Sequence, residues 1–235
     1  MMTKAAVVTG ASSGIGKAIS ERMLDEGYAL VMNGRTLGKP ATQAQEDRLT
    51  IRTDDLLLPG TPAKLLDAAL DSFGRVDYLF VNAGTIESAS IEDIDIEKMC
   101  TMMRLKVEAS FRLIYTFLKH MKKTGCGHIF ITSSVLGTKT RENSGAYAAA
   151  NYALEALAES LRMELCETDI QITCIEPGLV RTQLHRDWPV HPQELLNISN
   201  ALQPEDIADA VMELIAKKNY IRVPRLMILP KGHRI

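Results

Sequence analysis

The chain has 235 residues, 46% of them hydrophobic and 24% charged, with a formal net charge of −2. Such a composition suits a globular protein with a sizeable core and gives no electrostatic case for nucleic acid or an anionic membrane surface. No apolar run reaches the ~18 residues of a membrane-spanning helix.

The strand pattern starting at Ala5-Ala6-Val7-Val8 leaves no room for a signal peptide, so a cytoplasmic protein is expected. Cys100, Cys126, Cys166 and Cys174 form neither a C-x-x-C pair nor a metal-ligand spacing. They are expected to be reduced thiols, mostly core filler, and no metal is expected.

Short β-rich apolar runs at 4–9, 28–33, 48–53, 76–81, 127–132, 170–175 and 224–229 alternate with helical patterns at 14–26, 61–73, 92–121, 145–167 and 204–217. The alternation predicts βαβ units and an α/β fold with a parallel sheet, in a single domain over 1–235. The connection 34–47, with Gly38 and Pro40, is short and poorly helical, so a reduced or irregular crossover helix is expected there.

The first strand runs into Thr9-Gly10-Ala11-Ser12-Ser13-Gly14-Ile15-Gly16. Glycines that follow a strand and open a helix let backbone approach a pyrophosphate at the positive helix end. The second strand ends Asn33-Gly34-Arg35, with no acid to accept from the ribose 2′-hydroxyl of NAD; Arg35 would instead pair with a 2′-phosphate. NADP(H) is therefore expected in preference to NAD(H), with Lys17 as a second positive charge. Asp55, after the third strand, is a candidate for the adenine region, with helix entry as the alternative. The fourth strand ends in Asn82-Ala83-Gly84, small residues that let the chain turn against a cofactor.

Together with Ser134, Tyr147 and Pro177-Gly178-Leu179-Val180-Arg181-Thr182, these residues resemble the short-chain dehydrogenases/reductases over nearly the whole chain. The resemblance implies a doubly wound Rossmann domain with seven parallel strands and a nicotinamide cofactor across their carboxyl ends. It also implies a homotetramer or homodimer built through the helices at 92–121 and 145–167. Pro177, Gly178, Val180 and Thr182 would meet the nicotinamide carboxamide, and 183–203 would be the substrate loop, with Trp188 over the substrate or anchoring the loop.

In the family, the serine matching Ser134 holds the carbonyl oxygen and the tyrosine matching Tyr147 moves the proton. Ser133 is the rival serine; Ser134 stands at the family's usual interval before Tyr147. A lysine four residues after the tyrosine normally binds the ribose and acidifies the phenol, but here that position is Asn151. A positive charge ~5 Å away is worth about 3 kcal/mol at an effective dielectric near 20, roughly two pKa units. Without it the phenol is a poor base at neutral pH.

The family's asparagine on the preceding long helix corresponds to Lys106. Met99, Met103, Lys106, Ser110, Leu113 and Phe117 fall on one helical face, and Lys106 is its only charge. The two positions look exchanged, Lys106 supplying the ammonium from ~7 Å, still over 2 kcal/mol, and Asn151 the amide.

The expected activity is interconversion of a carbonyl and an alcohol, on a small-molecule or carrier-bound substrate. The alternative is a nucleotide-binding regulator with little turnover. Lys139, Arg141, Arg181 and Arg186 either rim the mouth for an anionic substrate or form a solvated charged edge.

Overall fold

Seven runs rich in Val, Ile, Leu and Phe form the strands of the computed structural model, which describes residues 3–38, 42–186, 188 and 190–235. They are β1 (Ala5–Thr9), β2 (Ala29–Asn33), β3 (Leu49–Arg52), β4 (Tyr78–Val81), β5 (Cys126–Thr132), β6 (Asp169–Pro177) and β7 (Arg225–Ile228). All pair in parallel, in the order β3-β2-β1-β4-β5-β6-β7. The order reverses between β1 and β4, and in an open α/β sheet the crevice beyond the strands' carboxyl ends at that point is where ligands bind.

The helices are α1 (Gly14–Asp25), α2 (Gln43–Glu46), α3 (Thr61–Phe73), α4 (Ile96–Met103), α5 (Ser110–Thr124), α6 (Gly145–Glu164), α7 (Pro192–Leu195) and α8 (Pro204–Ile215). The crossover between β2 and β3 is reduced as expected: α2 is one turn, its Thr42 hydroxyl accepting from the Gln45 amide at 3.3 Å. Pro40 lies outside the described residues.

Successive strand residues point to opposite faces, and both faces are covered. Val7, Val31, Leu79, Ile129 and Ile172 pack under α3, α5 and α6. Ala6, Leu30, Phe80, Phe130 and Ile175 pack under α1 and α8. Burial on both sides explains why these strands read as continuous apolar runs rather than alternating ones.

Two expectations need correction. The stripe on the long helix is not one regular face, because residues Arg104–Ala109 form a π-helical turn between α4 and α5. The wider turn shifts the phase, so Met102 is fully buried while Met99 and Met103 are half-buried. The thiols are not core filler either: Cys100, Cys126 and Cys166 are exposed and only Cys174 is buried. They sit at the outer side of α4, the start of β5 and the end of α6, beyond the two covered sheet faces. No helix among the described residues is long and apolar enough to cross a membrane.

Candidate active site

β1 delivers the chain into the glycine turn, which two contacts oblige to be glycine. A Cβ on Gly16 would collide with the Gly10 carbonyl and the Asn82 amide, and one on Gly10 (φ +67°) would lie 2.8 Å from Ala83 Cα. Asn82 fastens this junction: its Nδ2 donates to the Thr9 carbonyl at 3.2 Å, and its Oδ1 accepts from the Thr132 hydroxyl at 3.0 Å. The Thr9 hydroxyl accepts from the Asn82 amide at 3.0 Å. Asn82 and Ala83 thus bind the ends of β1, β4 and β5 into one floor.

Above that floor, the first turn of α1 has no acidic residue and no side-chain cap, although Ser13 is its N-cap residue. Its amides and the exposed Ser12 and Ser13 border the crevice. Gly14 (φ +54°) packs under Thr182, whose methyl would sit 3.0 Å from an added Cβ; Ile15 joins the core below. The loop after β6 is thereby brought over the glycine turn. Pro177 ends β6, the Gly178 amide donates to the Ile228 carbonyl at 2.8 Å, and Val180 is buried in a bridge to Leu202.

The four candidate catalytic groups converge from three elements. Ser134 follows β5 and caps a 3-10 turn, its hydroxyl accepting from the Leu136 amide at 3.2 Å. Tyr147 lies in the first turn of α6 and is buried against Met102, Val135 and Leu136. Asn151, one turn on, is fully buried; its Nδ2 donates to the Tyr147 carbonyl at 2.8 Å and its Oδ1 has no partner. Lys106 enters from the π turn, buried, with Nζ 5.4 Å from the centre of the Tyr147 ring and its stem against Gly84. A Cβ at Gly84 would stand 3.4 Å from Nζ, so Gly84 leaves the ammonium its place.

Burial alone pulls Lys106 down from 10.5 to about 8. Burial also pushes the Tyr147 phenol above its ordinary value, while the nearby Ser134 hydroxyl and Asn151 amide draw it back. Lys106 therefore gives up its proton before the phenol does, and the phenolate is helped only when the ammonium keeps its own.

Ser133 faces the other way. Its Oγ is buried without a partner, and it and Glu155 of α6 both crowd the space a Gly137 Cβ would fill. Behind it lies a cluster that sequence reading missed. Arg225 of β7 places Nε 3.3 Å from Glu155 Oε2 and 3.4 Å from Glu176 Oε1, and both carboxyls are buried. Desolvation, then the neighbouring Glu155, pushes Glu176 up to about 7. The available signal was spacing: Tyr147, Asn151 and Glu155 fall at successive i+4 positions on α6.

At the adenosine end, Arg35 is exposed just past β2, beside a Gly34 that packs on Ser12. Lys17 is drawn along α1 instead, pairing with Glu21 at 3.5 Å. Asp55 serves helix entry, its Oδ1 accepting from the Leu57 amide at 2.9 Å and its carbonyl from the Thr61 hydroxyl at 2.5 Å. All four rim cations, Lys139, Arg141, Arg181 and Arg186, are exposed. A cavity of about 580 Å³ under the loop is lined by Arg181, His191, Gln193, Asn197 and Ile198, and neither Ser134 nor Tyr147 lines it. Trp188 meets His185 edge-on, with ring centres 5.0 Å apart.

The chain matches the short chain dehydrogenase family over residues 4–192. It is 30% identical over 230 residues to an uncharacterized oxidoreductase of Staphylococcus epidermidis, covering 97% of each chain. Among solved structures it resembles an alcohol dehydrogenase from the archaeon Thermococcus sibiricus complexed with 5-hydroxy-NADP. The identity there is 27%, the coverage 99% of each chain and the TM-score 0.84. It also superposes on a 3-ketoacyl-(acyl-carrier-protein) reductase from Brucella melitensis complexed with NADH, at 22% identity, full coverage of both chains and TM-score 0.86. The parallel seven-stranded sheet, the glycine turn and these likenesses over the full length agree: the chain belongs to the short-chain dehydrogenase family of oxidoreductases.

Proposed function

We propose that this protein interconverts a carbonyl and an alcohol with NADP(H), and that Lys106 and Asn151 divide between two helices the work the family gives to one lysine and one asparagine. The observation that carries this reading is the buried Lys106 ammonium, 5.4 Å from the centre of the Tyr147 ring.

The residues present fit the cofactor. The uncapped first turn of α1 suits a diphosphate, exposed Arg35 suits a 2′-phosphate, and the orphaned Asn151 Oδ1 suits a ribose hydroxyl as donor. The NADP derivative held by the archaeal alcohol dehydrogenase is consistent with that preference. When bound, the cofactor supplies or accepts the hydride.

The chain's own residues do the rest. The Ser134 hydroxyl donates to the substrate oxygen and Tyr147 gives or takes its proton. The Lys106 charge favours the phenolate, because opposite charges attract strongly where water is excluded. Asn151 fixes the Tyr147 turn through its bond to the Tyr147 carbonyl. Met102, Val135 and Leu136 keep water from the phenol. We assign the described part of the loop 183–203 to the substrate side of this single domain. We infer further that exposed Tyr115, Tyr152 and Met163 on α5 and α6 belong to a subunit interface of a homodimer or homotetramer.

The test is NADPH consumption over a panel of aldehydes and ketones, with Tyr147→Phe as control. Turnover abolished by Tyr147→Phe supports the reading. Tight NADPH binding without turnover on a broad panel would favour the regulatory alternative.

A further inference from the structure

The cluster of Glu155, Glu176, Arg225 and Ser133 joins the segments that carry the site. Glu155 lies on α6, the helix of Tyr147 and Asn151. Glu176 is the β6 residue just before Pro177-Gly178, and Ser133 adjoins Ser134. The Ser133 amide donates at 2.8 Å to the carbonyl of Ile175, the neighbour of Glu176. Ser133 and Glu155 meet over Gly137, where an added Cβ would lie 2.5 Å from Ser133 Oγ and 3.4 Å from Glu155 Oε1.

The cluster is short of positive charge and of hydrogen-bond donors. Glu155 and Glu176 are 3% and 0% exposed, and a single nitrogen, Arg225 Nε, faces both at 3.3 and 3.4 Å. The same guanidinium also reaches exposed Glu159 of α6 at 3.9 Å. The other facing groups add little: Arg162 of α6 donates to the Pro224 carbonyl at 3.0 Å, and Cys174 of β6 is a thiol that burial keeps protonated. None of the four carboxyl oxygens has a hydrogen-bond partner, and neither does Ser133 Oγ. With both carboxyls ionised, two buried negative charges would face one guanidinium. One proton between them mends both shortages. The acid O–H donates to the other carboxylate, the Ser133 hydroxyl gains an acceptor in Glu155, and one negative charge faces Arg225. Desolvation, then the neighbouring Glu155, accordingly raises Glu176 to about 7.

We propose that Glu155 and Glu176 share one proton and in that state are positioning residues, holding the Ser134 turn and the Pro177-Gly178 loop where the cofactor and substrate need them. Loss of that proton leaves two like charges between α6 and β6. They push apart the helix that carries Tyr147 and the strand that delivers the loop, so the site loosens as pH rises through neutrality. The proposal rests on the carbonyl-reductase reading for what the site does, and adds a control on when the site is formed.

The experiment compares the full natural chain with Glu176→Gln and Glu155→Gln between pH 6 and pH 8, by NADPH titration and by amide hydrogen exchange. If only the protonated pair binds, the competent fraction falls about tenfold over that range around a value of about 7. Kd for NADPH in the natural chain should then rise about tenfold relative to Glu176→Gln, whose amide keeps the shape and a donor of the acid. Lys106 titrates in both proteins, so the ratio isolates the carboxyl pair. Glu155→Gln should remove the step as well. Arg225→Met, which takes away the charge favouring ionisation, should move it to higher pH, a shift that a merely structural role would not produce. Exchange in segments 132–138 and 176–182, measured against α5 of the same chain, should quicken above pH 7 in the natural protein and not in the Gln variants. A Kd ratio that stays flat, or exchange in both segments that tracks α5 throughout, would overturn the proposal. A chain that bound no NADPH would contradict the cofactor reading instead, and the exchange result, which the natural protein alone supplies, would still decide the shared proton.

Discussion

Replacing Lys106 by Met separates what this residue does for catalysis from what it does for the fold. A unit charge 5.4 Å from the ring centre, at an effective dielectric near 20, is worth about 3 kcal/mol, or roughly two pKa units. In the natural protein the Lys106 ammonium, which burial lets persist only up to about 8, favours the phenolate form of Tyr147. In Lys106→Met that charge is gone and the phenol, which burial has pushed up, must lose its proton unaided.

The basic form needed for alcohol oxidation would then appear about two pH units later, and kcat/KM for the alcohol at pH 7 would fall about 100-fold. Stability should move the other way. Lowering Lys106 from 10.5 to about 8 costs at most about 3 kcal/mol. The unfolded chain binds the proton more tightly, so this cost is fully present below about pH 8 and is relieved as pH rises toward the free-lysine value. Lys106→Met at pH 7 is thus expected to unfold no lower in temperature than the natural protein. The assays are a pH–rate profile for alcohol oxidation and a thermal melt. An unmoved limb with undiminished activity would refute the reasoning, and a collapsed melting temperature would make Lys106 a structural residue.

Three further outcomes follow from the same structure. Glu176 has its pKa raised from 4.5 to about 7 in the fold, so its contribution favours the folded chain below pH 4.5 and is lost as pH rises through about 7; Glu176→Gln should flatten this fall, read as Tm from pH 4 to 8. Arg35→Ala should raise KM for NADPH by about tenfold or more, the loss of one charged hydrogen bond, and leave KM for NADH nearly unchanged; equal effects on both would remove the 2′-phosphate assignment. Gly16→Ala should cost about 1–3 kcal/mol through overpacking and weaken NADPH binding, because its methyl would strike the Gly10 carbonyl and the Asn82 amide; unaltered binding and melting would show that the turn can yield.

How far the chain could be read in advance depended on the range of the interactions. The strands were legible because residues such as Val7 and Ile129 are buried on a sheet covered on both faces, and such burial writes a continuous apolar run. The glycine turn was legible because its glycines follow a strand and open a helix within a few residues, although the crowding that requires Gly10 comes from Ala83, far along the chain. Lys106 could be singled out as a lone charge in an apolar stripe, but Arg104–Ala109 carries no local mark of a π turn. That turn showed only where Lys106 meets Gly84 and Tyr147. The thiols were misjudged because Cys burial is a statistical habit and three of these four sit on outward-facing positions. The packing of His233 against Gly178 was beyond reach, since it forms when the C-terminal tail folds back over the end of β6. The Glu155–Glu176–Arg225 cluster likewise joins one helix to two strands, with only the α6 spacing as a hint.

The exchange of roles between Lys106 and Asn151 is tested most directly by returning each residue to the other's position. Lys106→Asn and Asn151→Lys are made singly and together, and NADPH-dependent carbonyl reduction is measured against pH. Lys106→Asn alone should lose most activity, and adding Asn151→Lys should restore it together with the pH profile, because the ammonium again stands beside Tyr147. Full activity in Lys106→Asn alone, or a well-folded double variant no more active than that single one, would contradict the account.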